Sequence, residues 1–180
     1  ELGGSVLIAA AIWGGKSGEL DLSVPVSDTL ALHAGFNGGR QVFPNGIVWG
    51  NTHQGGGYDV VLMGQAQPGP INIDTLEARL ARPDFIPVAQ SLREIGFNSA
   101  TELLSTYAGD GPRLQPWLTD AQINTDRNLR LQYLAGLGVN KYEQREIYSQ
   151  ILSFRQPPDG LFAGSPVRLA AVRMGIVGYP

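Results

Sequence analysis

A histidine and an aspartate form the first candidate for chemistry in this chain. His53 lies in the glycine-rich segment 51–57, and Asp59 follows that segment. An imidazole beside a carboxylate is a common arrangement for general acid and base catalysis. A histidine in a glycine-rich loop is more often simply exposed to water. Two interpretations of His53 therefore stay open: half of an acid–base pair, or a solvated loop residue.

A second candidate is a group of polar residues further along the chain, Asp120, Asn124 and Asp126. Their oxygen atoms could contact a ligand directly. Turns and helix caps use the same residue types, because such short side chains bond to nearby backbone groups. We predict the structural role, in which the segment accepts backbone hydrogen bonds and sets the entry to a short strand at residues 129–133.

Two glycine motifs fall short of the patterns that define nucleotide sites. Gly15-Lys16-Ser17 follows an apolar run, but a phosphate-binding loop requires glycine where Ala10 stands. A strand pattern follows it, although phosphate binding needs the N-terminus of a helix. Gly136-Leu137-Gly138 begins like a dinucleotide fingerprint, but Lys141 occupies the position of the third glycine. We therefore predict no catalytic residue and no cofactor.

Composition excludes several classes of protein. Of the 180 residues, 43% are hydrophobic and 16% charged, which is enough for a core. The formal net charge of -3 argues against nucleic-acid binding, which requires a basic surface. There is no cysteine, and the spacing of His33 and His53 indicates no metal site. The longest apolar run, residues 6–13, is far shorter than the ~20 residues of a membrane helix, so we predict no transmembrane segment.

Residues 1–65 carry the pattern of strands and turns. Apolar and polar residues alternate over 20–26 and again over 30–36, the period of a half-buried strand, so the two runs predict a hairpin. Pro25 cannot donate to a ladder and places its strand at an edge. Two more short strands are predicted at 46–49 and 58–63, with the glycine-rich segment between them as a loop.

Residues 66–180 carry mainly helical patterns. Capping boxes are predicted where an acid follows a capping residue by three positions, in the pairs Asp74 with Glu77, Ser99 with Glu102, and Asn140 with Glu143. One helix should bury a face made of Phe85, Val88, Leu92 and Ile95, and end at Gly96. Another should carry Ile147, Ile151 and Phe154, and a last one should begin at Ser165-Pro166.

The fold class that follows is mixed α/β, of the α+β type. N-terminal β-hairpins and short strands occupy residues 1–65, and a mainly helical part occupies residues 66–180. We predict that the helical part forms one compact unit.

Several stretches of residues 43–164 resemble a known family. In chain order they are Phe43-Pro44-Asn45-Gly46, Val48-Trp49-Gly50-Asn51, 57–65 (GYDVVLMGQ), 91–97 (SLREIGF), 103–109 (LLSTYAG), Trp117-Leu118, 123–126 (INTD), 128–138 (NLRLQYLAGLG), Ile147-Tyr148 and 161–165 (LFAGS). Together they resemble the C-terminal part of membrane-fused spermidine-synthase-like proteins, which are polyamine aminopropyltransferase-like. Residues 1–42 do not match that family.

The resemblance implies a Rossmann-like aminopropyltransferase fold that binds decarboxylated S-adenosylmethionine and a polyamine. In that family the cofactor loop, the ribose-binding acid and the catalytic aspartate all lie upstream of the matched segment, and their motifs are not present in this chain. The family also has a helix just before the position of Phe43, where this chain carries the hairpin pattern. We therefore transfer no catalytic residue to it.

Three functions stay open on the sequence. The first is a non-catalytic accessory subunit with a protein partner, attached to a membrane-associated assembly as the resemblance implies. The second is the C-terminal portion of an aminopropyltransferase that needs an absent cofactor-binding half. The third is a small-ligand binding protein using segment 51–57. For the first, we predict a place in the cytoplasm or peripheral to the membrane, with contact made by residues 19–36, because a free strand edge invites pairing.

Overall fold

The computed structural model describes residues 5–10, 45–53, 56–65, 69–119 and 144–179. Within them, strands dominate the N-terminal part and helices the C-terminal part, so the predicted α+β class is confirmed. The described residues fall into two compact units. The sheet unit takes those up to 65 and those from 108 to 155, and the helical unit takes residues 69–107 and 156–179.

The elements alternate between short strands and short helices. The strands are β1 (Ser5–Ala10), β2 (Ile47–His53), β3 (Gly56–Gln65), β4 (Ile71–Asn72), β5 (Tyr107–Asp110) and β6 (Phe162–Ala163). The α-helices are α1 (Ile73–Leu80), α2 (Ile86–Glu94), α3 (Ala100–Leu104), α4 (Gln144–Ser153) and α5 (Pro166–Gly178). Turns of 3₁₀-helix occupy Pro83–Phe85 and Pro116–Leu118.

The sheet unit is built on a four-stranded sheet in the order β1-β3-β2-β5. Strand β3 pairs antiparallel with both β1 and β2. Strands β2 and β3 form a hairpin longer than the two strands predicted at 46–49 and 58–63. They extend into segment 51–57, where His53 pairs with Gly56 after a register irregularity between Asn51 and Thr52. Such an irregularity lets a ladder continue past a break in strict pairing, so the prediction of a loop beginning at residue 51 is wrong.

Helix α4 closes the sheet unit by packing against β3. Its apolar residues recur with helical spacing, as predicted, and Ile147 and Ile151 are buried. Tyr148 lies beside β2 at Gly50, where a Cβ atom would come within 2.2 Å of the tyrosine oxygen. The buried core of this unit consists of Val48, Val60, Ala108, Leu114, Leu118, Ile147, Tyr148 and Ile151.

The helical unit packs α5 against α3 and α1, and joins β4 to β6 in a short parallel pair. An edge-to-face contact between the rings of Tyr107 and Phe162, with centroids 6.4 Å apart, lies in the same unit. Its buried apolar side chains are Ile73, Ala100, Leu104, Tyr107, Val172 and Ile176.

The helix signals at Ser99 and Gly96 are confirmed, and the one at Asp74 is wrong. Ser99 Oγ accepts a hydrogen bond from the Glu102 N–H at 3.1 Å, so this residue caps α3 as predicted. Gly96, at φ 96°, follows the end of α2 as predicted. The N-cap of α1, however, is Asn72, whose Oδ1 accepts from the Thr75 N–H at 2.9 Å. Asp74 was predicted as that cap and instead serves another helix.

The face of α2 that was predicted to be buried stays largely at the surface. Every residue of this helix keeps part of its area exposed, and Val88 and Ile95 are 48% and 69% exposed. Among the described elements, the stronger contacts of α2 are with α1 and with the 3₁₀ turn at Pro83–Phe85, which are its neighbours in sequence. No described element distant in sequence covers this face to a comparable extent, so it stays exposed.

Several predicted elements lie outside the described residues. They are the hairpin at 20–36 with Pro25, the turn Gly15-Lys16-Ser17, the capping pair Asn140 with Glu143, and the strand at 129–133. Among the helices that are described, none has both the length and the apolar character needed to cross a bilayer.

Candidate interaction surface

Helix α5 is fixed at its start by an acid from α1. Pro166 occupies the first turn, where its missing N–H costs nothing, as predicted from Ser165-Pro166. The carboxylate of Asp74 accepts hydrogen bonds from the Ser165 N–H at 2.6 Å and from Ser165 Oγ at 3.1 Å. Gly164 precedes this contact at φ 146°, and a Cβ there would lie 3.0 Å from Asp74 Oδ2. A carboxylate at a helix N-terminus also stabilises the helix dipole.

An arginine of α5 extends this contact along α1. Arg168 Nε lies 3.1 Å from Asp74 Oδ1, and its Nη1 lies 3.6 Å from Glu77 Oε2. The same Glu77 oxygen accepts a hydrogen bond from the Ala100 N–H at 2.7 Å, at the first residue of α3. The two acids predicted to cap their own helix therefore cap α5 and α3 instead.

The inner face of α5 approaches α3 closely because a glycine leaves room. A Cβ built on Gly175 would lie 2.0 Å from Ser105 Oγ and 2.7 Å from Ser105 Cβ. Val172 and Ile176, on either side of that glycine, are completely buried. This face is the packed side of α5. The opposite side of the helix therefore faces away from α3.

The outward face of α5 is also apolar. Val167, Met174 and Val177 are 79%, 70% and 70% exposed, and Ala170 between them is exposed as well. These four residues, which we call the α5 seam, recur at intervals of three, four and three positions and therefore share one side of a helix. The side of a surface helix that faces away from the core normally carries polar residues. The α5 seam is therefore the candidate functional surface of the helical unit.

Removing the Asp74 carboxylate tests how α5 is held. We expect Asp74→Ala to lower the free energy of unfolding by about 1 kcal/mol, because the N-terminus of α5 loses its acceptor and Arg168 loses a partner. Asp159→Ala is the matched control, because it also removes an acid paired with an arginine of α5. The Asp159 side chain is 92% exposed, and its Oδ1 lies 3.7 Å from Arg173 Nη2. Such a surface pair contributes little. Thermal unfolding of both variants measures the two losses of stability. Equal losses in Asp74→Ala and Asp159→Ala would contradict the capping role of Asp74.

The residues singled out from the sequence do not come together as a site. Asp120, Asn124 and Asp126 lie outside the described residues. The backbones of His53 and Asp59 lie on adjacent strands, His53 being the last residue of β2 and not a loop residue. In the part of the chain that is described, no group of three or more histidine and acidic side chains could hold a metal ion.

The α5 seam was not among the candidates from the sequence, although the sequence contains a signal for it. Between Pro166 and Gly178 there is no acidic residue, and the polar side chains are two arginines, Arg168 and Arg173. A helix this apolar has hydrophobic residues on more than the one face it buries in its own unit. That excess could have identified the surface before the structure was known.

Comparisons with known proteins add no further constraint on function. The resemblance of residues 43–164 to the C-terminal part of spermidine-synthase-like proteins stays a prediction. No family model matches the chain, and neither a curated protein nor a solved structure matches it.

Proposed function

We propose that the chain is a non-catalytic accessory subunit that acts by binding another protein through the α5 seam. The observation that carries the proposal is the exposure of Val167, Met174 and Val177 on a helix whose opposite face is already buried. A helix that is hydrophobic all round is normally covered on all sides. Contiguous exposed apolar surface on a soluble protein is typical of an interaction site.

The other exposed apolar side chains do not support a second surface of this kind. On α2, Val88 and Ile95 stand seven positions apart on one side of the helix, with Leu92 between them only partly exposed. Helix α2 buries no residue on an opposite face, so this stripe is the one apolar side of an amphipathic helix. Helix α5 differs because its apolar seam is additional to a face that is already buried. Ile95, at 69% exposure, is therefore a matched control for Met174, at 70%.

The native mass of the chain tests this proposal. In extracts of its own source, the tagged full chain should migrate in an assembly larger than itself. Met174→Gln should release it from that assembly, because a polar amide in an apolar contact loses its hydration without compensation. Ile95→Gln should leave the assembly intact. A chain that migrates as a monomer, or equal release by both variants, would contradict the proposal.

Cofactor binding separates this proposal from the aminopropyltransferase that the resemblance implies. We expect the chain alone to show no binding of decarboxylated S-adenosylmethionine in calorimetry, because the glycine-rich cofactor motif of the resembled family is not present in its sequence to hold the nucleoside. Micromolar binding would overturn the non-catalytic assignment and favour the enzyme.

A further inference from the structure

We infer that the occupant of the α5 seam is an α-helix of a partner protein, with aliphatic residues on its contact face and acidic residues along one flank. This inference rests on the proposed function and goes further by naming the chemistry of the partner. It depends on three features of the described residues: the spacing of the seam, the position of Arg173, and the absence of acids from α5.

The spacing of the seam is that of helix-to-helix packing. Val167, Ala170, Met174 and Val177 occupy positions that alternate by three and four residues, the repeat that keeps one apolar stripe facing a partner helix. The small side chain of Ala170 lies between the larger ones, where it takes up less space than they do. A peptide that binds by β-strand addition needs an open strand edge, which a helix face cannot offer.

The charge beside the seam selects the partner. Arg173 directly precedes Met174 and occupies the flanking position at which coiled coils form salt bridges between helices. Its contact with Asp159 is long, at 3.7 Å, and both side chains are well exposed, at 63% and 92%. Such a pair is weak enough to exchange for a better acceptor. The opposite flank carries Ala171 and Gly178, so the acids of the partner are needed on one side only.

A second copy of the chain fits the seam poorly. Helix α5 contains no acidic residue, so a copy packed through the same helix brings no acidic residue on that helix to Arg173.

A lipid surface fits poorly as well. Helices that lie in membrane interfaces carry free Lys or Arg on the polar face and bulky Trp, Phe or Leu on the other. The outward face of α5 has none of those bulky residues. Arg168 is held by Asp74 and Glu77, which leaves Arg173 as the one other basic residue of α5 itself.

Two synthetic peptides test the inference on the full chain. Both are helices constrained by side-chain staples, long enough to span α5, with the same isoleucine and leucine seam. One carries glutamate at the flanking positions and the other carries lysine. By fluorescence anisotropy we expect the acidic peptide to bind about five- to tenfold more tightly, because one peptide attracts Arg173 and the other repels it. Arg173→Gln should bring this ratio close to one.

Binding of the acidic peptide should be lost in Met174→Glu and kept in Ile95→Glu. Equal binding of the two peptides, or binding that survives Met174→Glu, would overturn the inference. Binding of the chain to anionic phospholipid vesicles, or self-association of the chain, would also overturn it if either depended on Met174. If neither peptide binds while Met174→Gln still releases the chain from its native assembly, the partner is not a helix of this kind, and the proposed interaction through the α5 seam stands. If that release fails too, the proposed function is wrong as well.

Discussion

Tyr148→Ala is expected to lower the free energy of unfolding by about 3–5 kcal/mol, the cost of truncating a buried aromatic side chain. Tyr148 is 5% exposed and packs in the core of the sheet unit, between Ile147 and Ile151 of α4 and the backbone of β2 at Gly50. Its removal leaves a cavity beside the strand that its neighbours can fill only in part. Urea denaturation, followed by circular dichroism, measures the loss.

Tyr148→Phe is the matched control, because it keeps the ring against Gly50 and should retain most of the stability. A second variant approaches the same contact from the other side. In Gly50→Ala the added methyl group would lie 2.8 Å from a ring carbon of Tyr148, so this variant should also be destabilised. A loss below about 1 kcal/mol in Tyr148→Ala would contradict the packing of α4 on the sheet.

Gly175→Ala is expected to cost about 1–3 kcal/mol, the range for overpacking a well-filled core. On an exposed helix the same change would stabilise by up to about 1 kcal/mol, since alanine is the better helix former. Here the added methyl group would lie 2.7 Å from Ser105 Cβ, and rotating the serine side chain cannot relieve that contact. The helix must move outward, which weakens the burial of Val172 and Ile176.

Gly178→Ala provides the control for this prediction, because nothing lies within 4 Å of a Cβ at that position of the same helix. Thermal unfolding should place Gly175→Ala below the wild type and Gly178→Ala at or above it. Ser105→Gly should restore part of the loss when combined with Gly175→Ala, since it removes the opposing Cβ atom. Equal melting temperatures for the two alanine variants would contradict the close approach of α5 to α3.

Local signals in the sequence were enough to predict the class of the fold and the limits of several helices. Pro166 begins α5, Ser99 caps α3 and Gly96 follows α2, because each of these signals depends on a few neighbouring residues. Strand β5 was not predicted. In the structure α3 ends at Leu104, and the Ser105 and Thr106 hydroxyls donate to carbonyls of its last turn.

Interactions between segments distant in sequence could not be predicted in the same way. Asp74 and Glu77 have the spacing of a capping box, and only the packed structure brings them to the starts of α5 and α3. The periodicity of α2 predicts one apolar face, but periodicity does not specify whether another element covers that face. The candidate residues His53 and Asp59 were chosen for their chemical type. They gave no indication of the α5 seam, which consists of apolar side chains on a different element.

Site-specific photo-cross-linking identifies what lies against the α5 seam in the intact assembly. A photoreactive amino acid would replace Met174 in one variant and Ile95 in the other, two positions of nearly equal exposure at 70% and 69%. The variants would be expressed in the source cells and irradiated. We predict a single protein adduct from position 174, abolished by Val177→Gln, and no adduct from position 95. Adducts of equal yield from both positions, or none from position 174, would show that the α5 seam is not the surface that binds the partner.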